Sequence, residues 1–209
     1  MKKFFYSFFF ELGKLLSWLR VFRIFRTAVL SCYYRFYSGT KSGQFATFGD
    51  NVLLAPYNTL VGAKFINIED DVRIGKGITL TAWAVHDTNQ KPKIIIKKRA
   101  RIGENAHITC INSIEIGSDV LTGRNLLITD NAHGNKEDAV SNIPPIERSL
   151  ISKGGVVIED GVWLADNVSV LPGVRIGSNS IIGANVVVSK DVPPYTVVVG
   201  ATSRYIDMK

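Results

Sequence analysis

One aliphatic position recurs every six residues, and this spacing constrains the chain more than any other feature. Ile158, Leu164, Val170, Ile176, Ile182 and Val188 follow one another without a break. The position after each is usually small (Ala165, Gly177, Gly183), the third after is Gly or Asn (Gly161, Asn167, Gly173, Asn179, Asn185), and the fourth is Val or Ser (Val162, Val168, Val174, Ser180, Val186). Earlier stretches keep the same rule: Phe48 and Leu54; Ile68, Ile74 and Leu80; Ile96, Ile102 and Ile108; Ile116, Thr122 and Ile128. A helix needs apolar spacing near 3.6 and a half-buried strand needs 2, so a period of six fits neither. It fits a chain that turns a corner every six residues, with an aliphatic side chain inward and a corner residue that tolerates positive φ.

Three such sides close a triangular coil of about 18 residues, and coils stack by backbone pairing at roughly 4.8 Å each. About six coils are predicted, over residues 48–65, 68–85, 96–113, 116–133, 158–175 and 176–192. The fold class is all-β. The repeat is suspended twice, at residues 81–93 (TAWAVHDTNQKPK) and at residues 129–155 (TDNAHGNKEDAVSNIPPIERSLISKGG). Loops extruded from a rigid scaffold are where function concentrates.

Charge and aromatics mark off the first 43 residues. They hold eight basic residues, one acidic residue and 13 of the 21 aromatics, whereas residues 44–209 hold 17 charges of each sign. A neutral body offers no excess of cations to a phosphate backbone, which excludes a nucleic-acid-coating protein. The opening MKKFFYSFFF stops at Glu11 without a small-residue cleavage site, so a secretory signal is not expected. No stretch reaches the roughly 20 apolar residues of a membrane span. One or two helices are expected, over residues 3–19 and 20–37. Two readings of them stay open: rings and cations at a lipid surface, or rings packed on the body or a neighbouring subunit. The domain division is 1–43, an N-terminal helical segment; 44–192, the repeat; and 193–209, a C-terminal tail. Cys32 and Cys110 are far apart and lack metal-ligand spacing, which fits a reducing compartment.

Three passages give the chain a resemblance to the hexapeptide-repeat acyltransferases, and among them to the O-acetyltransferases of lipopolysaccharide, capsule and exopolysaccharide. They are IGSDVLTGRNLLITDNAHG (116–134), the linker IPPIERSLISKGG (143–155), and GVVIEDGVWLADNVSVLPGVRIGSNSIIGANVVVSKDVPPYTVVVG (155–200). The resemblance implies a left-handed parallel β-helix, a homotrimer and acetyl-CoA as donor in clefts between subunits. With no metal-ligand spacing and no expected secretory signal, no metal is expected and the location is cytoplasmic, peripheral at the inner face of the membrane if residues 1–37 contact it.

His133 matches the family's catalytic histidine. A sugar hydroxyl is a poor nucleophile at neutral pH, and an imidazole can take its proton as the oxygen attacks the thioester, with no covalent acyl-enzyme. Asp130, Asn131 or a backbone carbonyl could orient the ring. For the acceptor, Trp83, His86 and Asp87 in the first loop, together with Asn112 and Asp130, are candidates. For the donor, the resemblance implies Ala184, Ser189, Lys190, Trp163 and Arg204, the last suited to phosphate by its guanidinium fork. Two departures stand out: the tail reads Gly200-Ala201-Thr202-Ser203-Arg204, and Asp166 occupies a position that is small in relatives. His107 is expected at a surface corner. Alternatives are N-acetylation of an amino sugar, a non-catalytic trimeric membrane-docking scaffold, and a zinc enzyme of the γ-carbonic anhydrase type. The last needs three converging histidines, and this chain has only His86, His107 and His133 in all.

Overall fold

The computed structural model describes residues 2–17, 20–85, 91–134 and 143–200. Two helices, α1 (Lys2–Ser17) and α2 (Arg20–Ser42), precede a three-faced prism of parallel strands. The first face runs Thr47–Phe48, Ile66–Ile68, Lys93–Ile96, Ser113–Ile116, Val156–Ile158, Arg175–Ile176. The second runs Leu53–Leu54, Arg73–Ile74, Arg101–Ile102, Leu121–Thr122, Trp163–Leu164, Ile181–Ile182, Val197–Val198. The third runs Thr59–Val61, Thr79–Ala82, His107–Cys110, Leu127–Thr129, Ser169–Val170, Val187–Val188. Each turn of the chain adds one strand to every face, giving the six expected coils.

Register stacks like on like. Ile68, Ile96, Ile116, Ile158 and Ile176 stand over one another on the first face. Leu80, Ile108, Ile128, Val170 and Val188 do so on the third. All ten are at most 4% exposed, and full burial of each aliphatic chain is worth about 1.5–3 kcal/mol. This column is the core.

The corners behave as the spacing requires. Gly161, Asn167, Gly173, Asn179 and Asn185 have φ of 71°, 60°, 81°, 57° and 61°. Between the second and third faces, Asn105, Asn125, Asn167 and Asn185 form a side-chain ladder, each amide donating to the next at 3.3, 3.1 and 3.2 Å. Between the first and second faces, Arg99 takes a left-handed corner (φ 62°) and its guanidinium donates twice to the Asp119 carboxylate of the next coil, at 2.7 and 2.6 Å. The third edge is different. Both extruded segments leave the prism there, after Ala82 and after Thr129, and the coil between them crosses the same edge by the tight turn at Ile111 and Asn112.

Helix α2 extends five residues beyond the expected end at 37, because its last turns are bound to the first coil. The Ser38 hydroxyl is buried; it donates to Tyr34 O (2.6 Å) and accepts from Leu54 N (2.7 Å). Arg35 Nη1 donates to Asn51 Oδ1 at 2.8 Å, and Tyr37 packs on Tyr57 with ring centroids 6.1 Å apart. The end of α2 thus caps a prism edge that would otherwise expose unpaired backbone. His107 is also not at a corner: it begins a third-face strand, exposed, and the corner belongs to Asn105.

A polar residue replaces the aliphatic one at Thr122. Its hydroxyl accepts from Gly103 N (2.9 Å) and donates to Gly123 O (3.1 Å), and the coils pass so close here that a Cβ at Gly103 would overlap the Gly123 carbonyl oxygen. Gly103→Ala is therefore expected to destabilise by about 2 kcal/mol or more in urea unfolding. Gly39→Ala, in α2 with nothing within 4 Å of the new methyl, is expected to be neutral or stabilising by about 0.5–1 kcal/mol.

Candidate active site

The third edge gathers the sequence candidates. His133 lies on a short strand, Ala132–His133, that leaves the fourth coil and pairs antiparallel with Leu150–Ile151, His133 opposite Leu150. Gly134, in a left-handed conformation (φ 76°), extends the pairing by donating to Ser149 O at 3.0 Å. The second extruded segment is thus tied at its neck, and the exposed imidazole stands on a hydrogen-bonded hairpin. One coil away, Asn112 forms the turn at the same edge, half-buried, its N–H bonded to Asp130 Oδ2 at 2.8 Å and its carbonyl to Lys93 N at 3.0 Å. One coil further, Trp83 opens the first extruded segment, 45% exposed, its N–H on Cys110 O at 2.8 Å. Three successive coils therefore present His133, Asn112 and Trp83 along one edge. His86, Asp87 and Arg204 lie outside the described residues.

Asp130 corrects the sequence reading. It is not at the acceptor surface, and its carboxylate is not turned toward the imidazole: the residue is fully buried. One oxygen accepts from Ile111 N (2.9 Å) and Asn131 Nδ2 (3.1 Å), the other from Asn112 N (2.8 Å), with the Cys110 thiol donating at 3.2 Å. Burial, with the Asp130 charge second, raises the Cys110 pKa far above that of an ordinary thiol, so the sulfur stays protonated and donates. Asn131 completes the clamp: its side chain also donates to Thr109 O (3.2 Å), and its N–H to Thr129 Oγ1 (3.2 Å). The carboxylate therefore holds the turn of one coil to the root of the His133 strand.

This use of Asp follows a rule that the sequence displays. Two residues beyond the inward aliphatic positions Ile68, Ile158 and Leu164, Asp70, Asp160 and Asp166 each accept a backbone N–H from the previous coil, from Asp50 (3.0 Å), Ser118 (2.7 Å) and Arg124 (2.7 Å). Asp130 stands two beyond Ile128 and does the same at the third edge. Asp166, the departure noted above, is a structural tie between coils. Asp70 has its pKa held below the ordinary carboxylate range by that backbone bond first and by Lys98 second.

The donor candidates are divided. Ser189 and Lys190 are exposed at the third edge, two coils beyond His133. Trp163 is on the second face, 47% exposed between Leu121 and Ile181, and Ala184 is at the corner between the second and third faces. One chain does not bring Trp163 and Ala184 together with His133. A groove of about 370 Å³, which sequence reasoning missed, lies on the second face against α2 and includes Tyr34, Arg73 and Arg101 in its walls. It is away from the His133 edge. Among the described residues no group of three or more His, Cys, Asp or Glu could hold a metal ion.

Comparison with known proteins gives the relationship. Residues 155–190 match the family described as bacterial transferase hexapeptide (six repeats). WbbJ of Escherichia coli K12, assigned to O-acetyl transfer in lipopolysaccharide biosynthesis, is 37% identical over 145 residues, 68% of this chain and 70% of its own length. The galactoside O-acetyltransferase of the same organism is 31% identical over 140 residues, 57% of this chain and 69% of its own. Among solved structures, a variant of AntD, an N-acyltransferase from Bacillus cereus in complex with dTDP and coenzyme A, superposes with a TM-score of 0.64 at 20% identity, covering 81% of this chain and 86% of that one. At that identity the likeness is one of fold.

Asp130→Asn tests the tie. It keeps the shape but turns an amide N–H toward backbone donors, so it is expected to cost on the order of 2 kcal/mol, read as a lowered urea midpoint. An unchanged midpoint would remove Asp130 from the support of the His133 strand.

Proposed function

The chain belongs to the hexapeptide-repeat acetyltransferases, and on that premise we propose that it moves an acetyl group from acetyl-CoA to a sugar hydroxyl of a surface glycan or its precursor. The observation that carries this reading is the position of His133. Its imidazole is exposed on a tied hairpin at the edge where both long segments emerge, and two coils along the same edge is an exposed indole that can stack on a sugar ring. In this mechanism the neutral imidazole takes the hydroxyl proton as the oxygen attacks the thioester carbonyl. The tetrahedral oxyanion collapses, the carbon–sulfur bond breaks, and the imidazolium returns the proton to the departing thiolate. An acetyl ester and free coenzyme A result. A hydroxyl acceptor is favoured over an amine because WbbJ, matched over more than two thirds of both chains, carries an O-acetyl transferase name, as does the galactoside enzyme.

The donor site in this reading is shared between copies of a homotrimer, with Trp163 and Ala184 of one chain facing the His133 edge of the next. That explains why these residues are separated around a single prism. Ser189 and Lys190 complete the cleft, and the tail 193–209 supplies Arg204 to the coenzyme phosphates. Asn112, Trp83, His86 and Asp87 bind the acceptor. Residues 1–43 form a separate segment before the prism (44–192), and residues 1–37 bring the enzyme to the membrane that carries lipid-linked glycans.

His133→Ala is expected to lower kcat by about a hundredfold or more with the thermal unfolding midpoint and oligomer mass unchanged. Near-normal turnover would remove His133 from the chemistry.

A further inference from the structure

Helix α1 is amphipathic and buries none of its residues. Phe4, Phe8, Leu12 and Leu15, with Phe5, Phe9 and Leu16 filling the gaps, fall on one side at helical spacing. Lys2, Lys3, Ser7, Glu11 and Lys14 occupy the other, with Tyr6 and Phe10 among them and the Lys14 ammonium over the Phe10 ring. The four phenylalanines Phe4, Phe5, Phe8 and Phe9 are 77%, 65%, 56% and 54% exposed. On α2, Phe25, Val29, Cys32 and Phe36 repeat at spacings of four, three and four, all exposed. This stripe lies opposite the side that Ser38 fastens to the prism: Phe36 is 73% exposed where Ser38 is 2%. The body therefore satisfies one side of α2 and leaves the aromatic side of both helices to something else.

Charge identifies the occupant. Residues 1–43 carry eight cations and one anion. A second copy of the same head would bring like charge against like. An anionic bilayer neutralises it while rings take up the headgroup depth where aromatic residues concentrate. Length and charge exclude spanning: among the described residues no helix is long and apolar enough to cross a membrane. We infer that α1 and the outer stripe of α2 bind the surface of a bilayer containing anionic lipid, with Phe4, Phe5, Phe8, Phe9, Phe25 and Phe36 inserted between headgroups and the lysines of α1 at the phosphates. The head joins the prism at its first coil, and His133 leaves the fourth. The catalytic edge then stands roughly 15 Å along the stack from that end, within reach of a glycan held by its lipid. This inference deepens the proposed membrane contact and rests on it for the acceptor.

Flotation of the full chain with vesicles tests it, using phosphatidylcholine alone and phosphatidylcholine mixed with phosphatidylglycerol. The wild type is expected to float with the mixed vesicles, to be released by salt, and to bind phosphatidylcholine only weakly. The triple variant Lys2→Gln, Lys3→Gln, Lys14→Gln is expected to bind about a hundredfold more weakly, and Phe5→Ser with Phe9→Ser to lose binding, both at unchanged oligomer mass. Failure of the wild type to float, binding indifferent to both variants, or a fall in oligomer mass on replacing the phenylalanines would each overturn the inference. Acetyl transfer to a soluble acceptor by the same proteins separates the two readings. A wild type that floats but transfers nothing overturns the function alone, and one that transfers but does not float overturns the membrane contact alone.

Discussion

The left-handed corner every six residues is the constraint on which the rest depends. It sets the length of each side, so the chain returns above itself after three sides and every residue meets its counterpart one coil on. Stacked aliphatic columns, the asparagine ladder at 105, 125, 167 and 185, and the Arg99–Asp119 corner are consequences of that return. Two of the three edges are closed by these contacts. The remaining edge is the one at which chain can be added without breaking a ladder, because strands on either side keep their partners whatever lies between them.

The site inherits its geometry from this arrangement. His133, Asn112 and Trp83 are far apart in sequence but successive in the stack, so their spacing is set by backbone pairing. Such a scaffold is rigid, and the buried Asp130 carboxylate extends that rigidity outward by joining the turn of one coil to the root of the next strand. At the opposite extreme, α1 contributes little to the prism. It buries none of its residues, and in the proposed membrane reading its apolar side serves contact rather than folding.

Much of this was legible in the sequence, and particular residues show where it was not. The corner positions could be read because Gly and Asn are the residues that tolerate positive φ, and all five predicted corners adopt it. Arg99 at a corner could not be read, since its conformation is held by a carboxylate from another coil. From sequence, Asp130 is a candidate for binding the acceptor or orienting the imidazole. Its tie to the previous coil follows from the spacing shared with Asp70, Asp160 and Asp166, a signal visible only once the six-residue repeat rather than the loop is taken as the reference. The end of α2 lies beyond the expected 37 because the contacts of Ser38 and Tyr37 with the first coil, which no local sequence signal reports, continue the helix through Gly39 to Ser42.

The account joins a histidine on a rigid edge to an acyl donor and a sugar hydroxyl, and the bond formed is its most exposed point. The direct measurement is to supply acetyl-CoA with a radiolabelled acetyl group to the protein and a glycan extract of its host, then treat the labelled product with mild alkali. The account predicts label on the glycan that is released as acetate, the behaviour of an ester. Label that survives alkali as an amide, or no label transferred to the glycan at all, would contradict it.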